Sequence, residues 1–355
     1  MPKESLCLKI PKVYGEKALA LASKMQLTDV LLKIKKANSH LLVPLKRQPN
    51  REELETLKHQ VPEASLTSSF FLEKEKPQKS YIELLKGKLP PHLLARLPRS
   101  FDIVGDIGIL EIPQQLSKHK KVIGEAFLEA NKNVRTVLAK ASAVDGTYRL
   151  RNLEVIAGEP RTSTVHKEHG CKYYVDLAKA YFSPRLSHEH KRVASLVKDG
   201  EVVLDMFAGI GPFAILIAKK HPKTKVYAVD LNPDAIEFLK RNARLNRVEN
   251  RVFPLLGDTK QVVEKKLCGI ADRVIMNLPE KAVDFVSSAC KAAKSSGSAF
   301  HFYSFVDVSA SLEVVQKRFV AKVEECGRRV RALSSRFVRG TAPHEWQIVL
   351  DAEIV

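Results

Sequence analysis

The feature that most constrains the fold is a regular alternation of short apolar runs and helical segments, from about residue 200 to the end of the chain. The runs at 202–205 and 226–230 each end in an aspartate, and a helix is predicted after each. Such alternation predicts a doubly wound sheet whose strands are mostly parallel. Helices are predicted at 212–220, 233–246, 259–267, 280–294 and 308–326, and further strands at 251–256, 273–276 and 298–305.

The last two predicted strands, at 328–338 and 346–355, follow each other without room for a crossover helix. A parallel return needs about a dozen or more connecting residues, so these strands must pair antiparallel. The sequence therefore predicts an α/β, Rossmann-like sheet that is mostly parallel and carries a C-terminal antiparallel strand.

The upstream part of the chain has a different composition. The segment 73–79 is charged, poor in apolar residues and interrupted by Pro77, which is typical of a linker. Because 355 residues exceed what one core usually organises, we expect two small α/β modules, at 1–72 and 73–171, before a larger domain at 172–355. Within the modules, helices are predicted at 14–24 and 118–131, a helical stretch punctuated by Pro90 and Pro91 at 81–97, a hairpin at 101–112, and strands at 134–144, 147–156 and 173–177.

The charge of the chain indicates its class of partner. The sequence has 59 Lys and Arg against 40 Asp and Glu, a formal net charge of +19. Such an excess predicts attraction to polyanions, and without a lipid-binding signature the favoured polyanion is nucleic acid. A basic solubilising surface is an equal alternative on charge alone. No apolar run approaches the roughly 20 residues of a membrane-spanning helix, so we expect a soluble, cytoplasmic protein with no membrane partner.

The cysteines and histidines do not form a metal-binding pattern. No C-x-x-C pair occurs, and His188 and His190 have no third ligand near them in the sequence. We therefore expect free thiols, no metal and no thiol mechanism. The cysteines are Cys7, Cys171, Cys268, Cys290 and Cys326.

A glycine-rich loop joins the strand at 202–205 to the following helix. Gly209 and Gly211 fit the dinucleotide pattern G-x-G-x-x-[GA], with Asp230 placed as a ribose-binding acid would be. The glycines alone are ambiguous between a nicotinamide dinucleotide and S-adenosylmethionine. Asp205, at the end of the strand, would repel a pyrophosphate but attract the ammonium and sulfonium groups of S-adenosylmethionine, which is therefore the predicted cofactor.

Polar residues follow the later strands in the same way. Ligands of open α/β sheets bind beyond the carboxyl ends of the strands. Asp230 can accept from both ribose hydroxyls, Asp258 can accept from the adenine amine, and the Asn277–Leu278–Pro279 turn faces the transferring methyl. Each residue alone can instead be a helix N-cap or turn residue, and for Asp258 alone that alternative is favoured. Together with Asp205, however, these residues make four polar positions at successive strand ends, which favours the cofactor.

Several motifs together identify a family. The sequences YRLR at 148–151, IAGE at 156–159, RT at 161–162, VHKEHG at 165–170, YFSPRL at 181–186, DMFAGIGPF at 205–213 and MNLP at 276–279 closely resemble those of the archaeal and eukaryotic tRNA guanine-N1 methyltransferases. These enzymes modify the guanosine at position 37, beside the anticodon. The resemblance spans most of the chain, and the archaeal type carries an N-terminal domain like residues 1–72. It implies a class I methyltransferase fold, S-adenosylmethionine as cofactor, a monomer, and tRNA bound at its anticodon region and outer corner.

The resemblance also assigns roles to residues. Guanine N1 carries a proton at neutral pH, so its methylation needs a base at N1 and a positive group for the charge on O6. Glu189 matches the family's general base and Arg149 its O6-stabilising arginine. Glu189 can instead form an ion pair at a helix start, and Arg149 can instead contact phosphate. At His190 the family often has arginine, so an RNA contact there is expected to be weaker or pH-dependent.

The remaining site residues follow from the same resemblance. Asn277 with Pro279 resembles the turn that orients a flipped base, and an aromatic wall suits such a base. The residues expected to bind the cofactor are Tyr181, Arg185, Asp205, Phe207, Gly209, Gly211, Asp230, Asp258 and Asn277, and those expected to be catalytic are Glu189, Arg149, Asn277 and Pro279.

The implied function is transfer of the cofactor's methyl group to N1 of guanosine 37 in tRNA. The alternative is the aminocarboxypropyl transferase of the wybutosine pathway, which shares the fold and acts at the same tRNA position. Arg149, Glu189 and the 277–279 turn favour methyl transfer, because that chemistry deprotonates an intact guanine. Asp205 and the basic surplus disfavour an NAD oxidoreductase. A non-catalytic RNA-binding protein would have lost the loop glycines or the strand-end acids, and this chain retains both.

Overall fold

A computed structural model describes residues 2–74, 79–141, 146, 148, 150–307, 309 and 311–355. The chain forms two compact units, Met1–Lys79 and Ser80–Val355. The predicted modules at 73–171 and 172–355 both fall almost entirely in the second unit, and the boundary between them stays a prediction. No helix among the described residues is long and apolar enough to cross a membrane.

The first unit is a four-stranded antiparallel sheet with two helices. The predicted α/β character and the helix at 14–24 are present, but the positions of the strands were not predicted. The second helix begins with a capping box, in which Asn50 and Glu53 satisfy each other's backbone amides. The elements are β1 (Lys3–Pro11), α1 (Gly15–Lys24), β2 (Lys35–Ala37), β3 (His40–Pro44), α2 (Arg51–Gln60) and β4 (Ser65–Phe71), in the sheet order β2-β3-β1-β4.

The second unit begins with a small α/β layer. The helical stretch at 81–97, predicted to be punctuated by Pro90 and Pro91, is present as two short helices, the second of which begins at Pro91. The predicted hairpin at 101–112 is present, with Gly105 in its turn. The elements are α3 (Tyr81–Leu84), α4 (Pro91–Leu94), β5 (Asp102–Val104), β6 (Ile107–Leu110), α5 (Lys120–Ala130), β7 (Thr136–Lys140) and β8 (Leu153–Gly158), in the sheet order β5-β6-β7-β8.

A hairpin and a helix connect this layer to the main sheet. The hairpin consists of β9 (Ser163–Glu168), which was not predicted, and β10 (Cys171–Asp176). The helix, α6 (Ser187–Leu196), carries the predicted base Glu189 in its first turn.

The main sheet has seven strands in the order β13-β12-β11-β14-β15-β17-β16. The strands β11 to β15 are parallel, and β17 pairs antiparallel with both β15 and β16, so the predicted mostly parallel sheet is confirmed. The elements are β11 (Val202–Asp205), α7 (Pro212–Lys220), β12 (Lys225–Asp230), α8 (Pro233–Asn246), β13 (Val252–Leu256), α9 (Thr259–Val262), β14 (Arg273–Met276), α10 (Val286–Ala292), β15 (Ser298–Asp307), α11 (Leu312–Glu324), β16 (Val330–Ala342) and β17 (Glu345–Ile354).

Helices cover both faces of this sheet. The core on one face contains residues of α6, α7 and α8, and the core on the other contains residues of α10 and α11. The strand order reverses between β11 and β14, which is where open α/β sheets bind ligands.

Two asparagines of α8 attach the β9–β10 hairpin. Asn242 accepts from the Tyr174 amide at 2.6 Å and donates to the Tyr174 carbonyl at 3.0 Å. It also donates to the carbonyl of Ile210, in the glycine-rich loop, at 3.1 Å. Asn246 makes the equivalent pair of bonds with Lys172, at 2.9 and 2.7 Å, but none with the loop. Both side chains are buried.

The two asparagines should therefore differ in their effect on the loop. Asn242→Leu and Asn246→Leu each leave a partly buried amide and carbonyl of β10 unpaired, and each is expected to destabilise the protein by ~1–3 kcal/mol, measured by thermal unfolding. Asn242→Leu alone should also weaken binding of S-adenosylmethionine, measured by calorimetric titration. Equal binding by the two variants would show that the Ile210 bond does not position the loop.

Candidate active site

A cavity of about 300 Å³ lies beyond the carboxyl ends of β11, β12 and β14. That size is typical of a small-molecule site. Its walls come from the glycine-rich loop and from residues that follow β12, β13 and β14, as expected for this fold. Segments before and after the parallel sheet complete it, including residues 181–183 and the side chains of Arg339 and Gln347.

The two loop glycines have different roles. Gly209 lines the cavity, and its amide donates to Oδ2 of Asp230 at 2.7 Å. Gly211 does not line it. Its φ is 90°, and a Cβ there would lie 2.1 Å from Cδ1 of the buried Leu239. Gly211 is therefore required for the packing of α7 against α8, which is a different reason from the predicted cofactor contact.

Asp205 is fully buried and does not line the cavity. Neither carboxylate oxygen has a hydrogen-bond partner of normal geometry within the described part of the chain. Burial raises its pKa to about 7, which the nearby Phe207 amide partly offsets and the charge of Asp230 increases. The predicted direct contact with a ligand is not seen, because loop residues and not Asp205 form the wall. An unpartnered buried carboxylate still attracts a cation nearby.

Asp230 and Asp258 both line the cavity. Asp230 accepts from the amides of Gly209 and Asn232, at 2.7 and 2.9 Å, while burial raises its pKa. Each of its oxygens retains a lone pair for a ligand. Asp258 is the N-cap of α9 and accepts from the Lys260 amide at 2.7 Å. It therefore serves as a helix cap, which was the alternative, and also lies at the cavity, as predicted.

Aromatic side chains form part of the wall, as predicted for Tyr181 and Phe207. Phe207 packs edge-on against Phe285, with ring centroids 4.9 Å apart. Arg185 differs from its prediction. It does not line the cavity, because its exposed guanidinium is paired with Asp102 at 2.6 Å.

Glu189 lies in a buried network of charges and does not line the cavity. Its Oε1 accepts from Nη2 of Arg192 at 2.6 Å and from the hydroxyl of Tyr303 at 2.7 Å. Burial disfavours the charged Arg192, but its bonds to Glu189 and Asp351 outweigh this and raise its pKa. Burial and the Glu189 charge raise the pKa of Tyr303, which keeps this donor protonated. The ion pair considered as the alternative for Glu189 is therefore present.

His190 lines the cavity but is only 1% exposed. Its Nδ1 donates to Oε1 of Glu168 at 2.7 Å. Burial alone would raise the pKa of Glu168, but its bonds with His166 and His190 lower it to about 2. The ring packs edge-on against Phe213, at 4.6 Å between centroids, and the expectation of a weaker or pH-dependent RNA contact at His190 stays a prediction.

The Asn277–Leu278–Pro279 turn lines the cavity, as predicted. The residues that hold Asn277 were not predicted. Gln347 donates to its Oδ1 at 3.2 Å, and Arg339 donates to Oε1 of Gln347 at 2.9 Å. No local sequence signal marks Arg339 or Gln347, because only the pairing of β16 with β17 brings them to the site. Asn232 was also missed, although its place before Pro233 is an N-cap signal.

Arg149, the predicted O6-stabilising residue, lies outside the described residues. Its neighbours Gly146 and Tyr148 line the cavity. Across the described ranges, no group of three or more His, Cys, Asp or Glu residues is arranged to hold a metal.

Comparisons with known proteins identify the family. The TRM5/TYW2 methyltransferase domain matches residues 164–331, the TYW2 N-terminal domain residues 81–162 and the tRNA methyltransferase 5 N-terminal domain residues 7–53. The tRNA (guanine(37)-N(1))-methyltransferase Trm5b of Pyrococcus abyssi is 38% identical, over 99% of each chain. This chain belongs to the TRM5/TYW2 methyltransferase family. Its fold is accordingly that of a methyltransferase.

Other members of the TRM5/TYW2 family show the range of this similarity. The solved complex of aTrm5 and tRNALeu is 35% identical, with a TM-score of 0.67, over 99% of this chain and 100% of that one. The tRNA(Phe) (4-demethylwyosine(37)-C(7)) aminocarboxypropyltransferase of Pyrococcus horikoshii is 33% identical, over 77% of this chain and 95% of its own. The solved P. horikoshii TYW2 in complex with MeSAdo is 32% identical, with a TM-score of 0.66, over 77% of this chain and 97% of that one.

The buried carboxylate of Asp205 should make stability depend on pH. Its pKa of about 7 exceeds the ordinary value of 3.8, so the folded protein holds a proton that the unfolded chain has lost. Stability is therefore lost as the pH rises from about 4 to about 7. Asp205→Asn is expected to stabilise the protein at pH 8 by up to ~4 kcal/mol and to change little at pH 4.

The measurement is thermal unfolding from pH 4 to pH 8, with Asp234→Asn as the control. Asp234 lies half-exposed at the start of α8, where it pairs with Lys179 at 3.6 Å, so Asp234→Asn should not gain stability at pH 8. At pH 8, Asp205→Asn should also bind S-adenosylmethionine about 10-fold more weakly, because the attraction for its cation is lost. A gain in stability that is equal at pH 4 and pH 8 would contradict the ionised, unpartnered state of Asp205.

Proposed function

We propose that this protein transfers the methyl group of S-adenosylmethionine to N1 of the guanosine at position 37 of tRNA. The observation that carries the proposal is the full-length match to a relative named for that reaction. The match includes the first unit, where residues 7–53 fit the tRNA methyltransferase 5 N-terminal domain. The net charge of +19 supports a nucleic-acid substrate.

The aminocarboxypropyl transferase is the second candidate, because relatives with that name share the cavity-bearing fold. The P. horikoshii aminocarboxypropyltransferase matches only 77% of this chain although 95% of its own length is covered. About a quarter of this chain thus has no counterpart there, which favours methyl transfer.

The cavity suits S-adenosylmethionine in several ways. Asp230 retains acceptors for ribose hydroxyls, Asp258 has a carboxylate beside the cavity for an adenine amine, and Tyr181 and Phe207 provide apolar walls. The unpartnered Asp205 favours a ligand with a positive charge. When bound, the cofactor supplies an electrophilic methyl group.

The chain's own residues then act on guanine. Arg149 stabilises negative charge on O6, and Asn277 and Pro279 orient the base. Glu189 takes the N1 proton through Oε2, whose hydrogen bond is the 3.0 Å bond from Nε of Arg192. That step requires the ion pair with Arg192 to open toward the cavity when the base enters. His190 on the next position already lines the cavity, which brings this turn of α6 close to the base.

The division of labour along the chain follows. Residues 1–72 contact the tRNA, residues 73–171 bind RNA, and residues 172–355 carry the cofactor and catalysis, with the tRNA bound at its anticodon region and outer corner. The solved aTrm5–tRNALeu complex, which covers this chain almost completely, supports tRNA as the partner. The protein works as a monomer in the cytoplasm.

The first test uses S-adenosylmethionine labelled either in the methyl group or in the aminocarboxypropyl carbons. Methyl label should enter a tRNA transcript with guanosine at position 37 and be absent from a matched transcript with adenosine there. Nuclease digestion identifies the product as N1-methylguanosine. Transfer of the aminocarboxypropyl label, or no transfer, would reject the proposal.

The second test concerns the base. Glu189→Gln is expected to reduce the single-turnover methylation rate by about 10²–10⁴-fold while cofactor affinity stays nearly unchanged, because only proton removal is lost. The control is Glu201→Gln, which removes a carboxylate that pairs with Arg273 at 2.7 Å in the same charge network. That variant should lose stability but keep the rate within about 3-fold. A similar loss of rate in both variants would indicate that Glu189 is only structural.

A further inference from the structure

Arg339, Gln347 and Asn277 form a row of side chains across the C-terminal edge of the main sheet. Arg339 donates through Nε to Oε1 of Gln347 at 2.9 Å, and Gln347 donates through Nε2 to Oδ1 of Asn277 at 3.2 Å. Arg339 also donates through Nη1 to the hydroxyl of Ser183 at 2.8 Å. All four residues line the cavity. Gln347 is 1% exposed, so its amide has no alternative partner in solvent.

The direction of these hydrogen bonds is fixed by chemistry. An arginine guanidinium has donors and no acceptor, so Gln347 must turn its Oε1 toward Arg339. Its NH₂ group must then face Asn277, and Asn277 must present Oδ1 to it. Because Oδ1 of Asn277 is taken by Gln347, Nδ2 is the group of this amide that is left to donate to a ligand. Among the residues that the structure describes, Nδ2 of Asn277 has no hydrogen-bond partner.

A local irregularity in the sheet places Arg339 in this row. The pairing of β16 with β17 runs from Phe337 opposite Ile348 to Arg339 opposite Gln347, which leaves Val338 as a β-bulge. Val338 packs against the same core as Val349, so the bulge turns two successive residues toward the cavity side. A regular strand would place only one of them there.

We infer that Arg339 and Gln347 are positioning residues that fix Asn277 as a hydrogen-bond donor to the O6 atom of the target guanine. This rests on the proposed function. Loss of the N1 proton spreads negative charge onto O6, which a donor stabilises and an acceptor repels. A purine with an amino group at C6 would meet a donor facing a donor. The fixed amide therefore selects 6-keto over 6-amino purines.

The test is a double-mutant cycle with the full chain, methyl-labelled S-adenosylmethionine and a transcript with guanosine 37. Gln347→Leu is expected to lower kcat by about 10- to 100-fold and to leave the KM for the cofactor within about 3-fold. In an Asn277→Ala background, Gln347→Leu should have no further effect beyond about 3-fold, because Gln347 acts through Asn277. Losses that multiply in the double variant would overturn the inference.

Gln347→Glu tests the direction of the amide. A carboxylate at position 347 still accepts from Arg339, but it presents an acceptor and not a donor to Asn277. The amide of Asn277 then turns its Nδ2 toward residue 347 and its Oδ1 toward the base. This variant should lose at least as much kcat as Gln347→Leu, and a rate equal to the parent's would overturn the inference. Because Gln347→Glu keeps the hydrogen bond with Arg339, it remains a test of the inference if Gln347→Leu does not fold.

Gln316→Leu is the matched control. Gln316 is half-buried, and its amide donates to the hydroxyl of Ser335 of β16, on the side of α11. It should keep the parent's kcat, and a loss equal to that of Gln347→Leu would overturn the inference. If the parent itself transfers no methyl to guanosine 37, the proposed function fails and the inference falls with it. If the parent is active and the cycle is additive, only the inference fails.

Discussion

The positions of Asn277 and Glu189 in the candidate active site both depend on the pairing of β17 between β15 and β16. Alternation along β17 puts Gln347, Val349 and Asp351 on one face of the sheet. Gln347 holds Asn277, while Asp351 bonds to Arg192, which in turn holds Glu189. A slip of one residue in this pairing would turn both side chains to the opposite face. One strand thus sets the positions of the two groups that are proposed to meet the target base.

The charges around Glu189 are costly to bury, and their arrangement offsets that cost. Asp351 also accepts from Nδ1 of His301 at 2.5 Å, and Nε2 of His301 accepts from Arg273 at 2.8 Å. Burial lowers the pKa of His301, so the ring stays neutral and can accept from one side while it donates on the other. Removing Arg192 would leave the buried carboxylate of Glu189 without its cationic partner. Asp205 contrasts with this network, because its ionised carboxylate has no partner and lowers stability, and a ligand's positive charge would relieve that cost.

Features that depend on residues close together in the sequence were predicted correctly. The strand–helix alternation after residue 200, the acids at the ends of β11 and β12, and the antiparallel final pair all follow from periodicity and connection length. The strands of the first unit were missed, because β1 pairs with β3 and β4 across long stretches of sequence and β-propensity depends on such partners. The helical stretch at 81–97 is divided at Pro90 and Pro91, as predicted, because the effect of proline on a helix is local in the sequence.

The sequence by itself determined the fold class, the cofactor loop and the family, because each is encoded by motifs whose residues are close along the chain. The tertiary structure alone decided which of the predicted residues turn away from the cavity and which distant residues join it. It turned Arg185 toward Asp102, paired Glu189 with Arg192 and placed Arg339 and Gln347 beside Asn277. The reason is physical: side-chain direction at these positions depends on strand register, one β-bulge and buried charge pairing, which join residues far apart in the sequence.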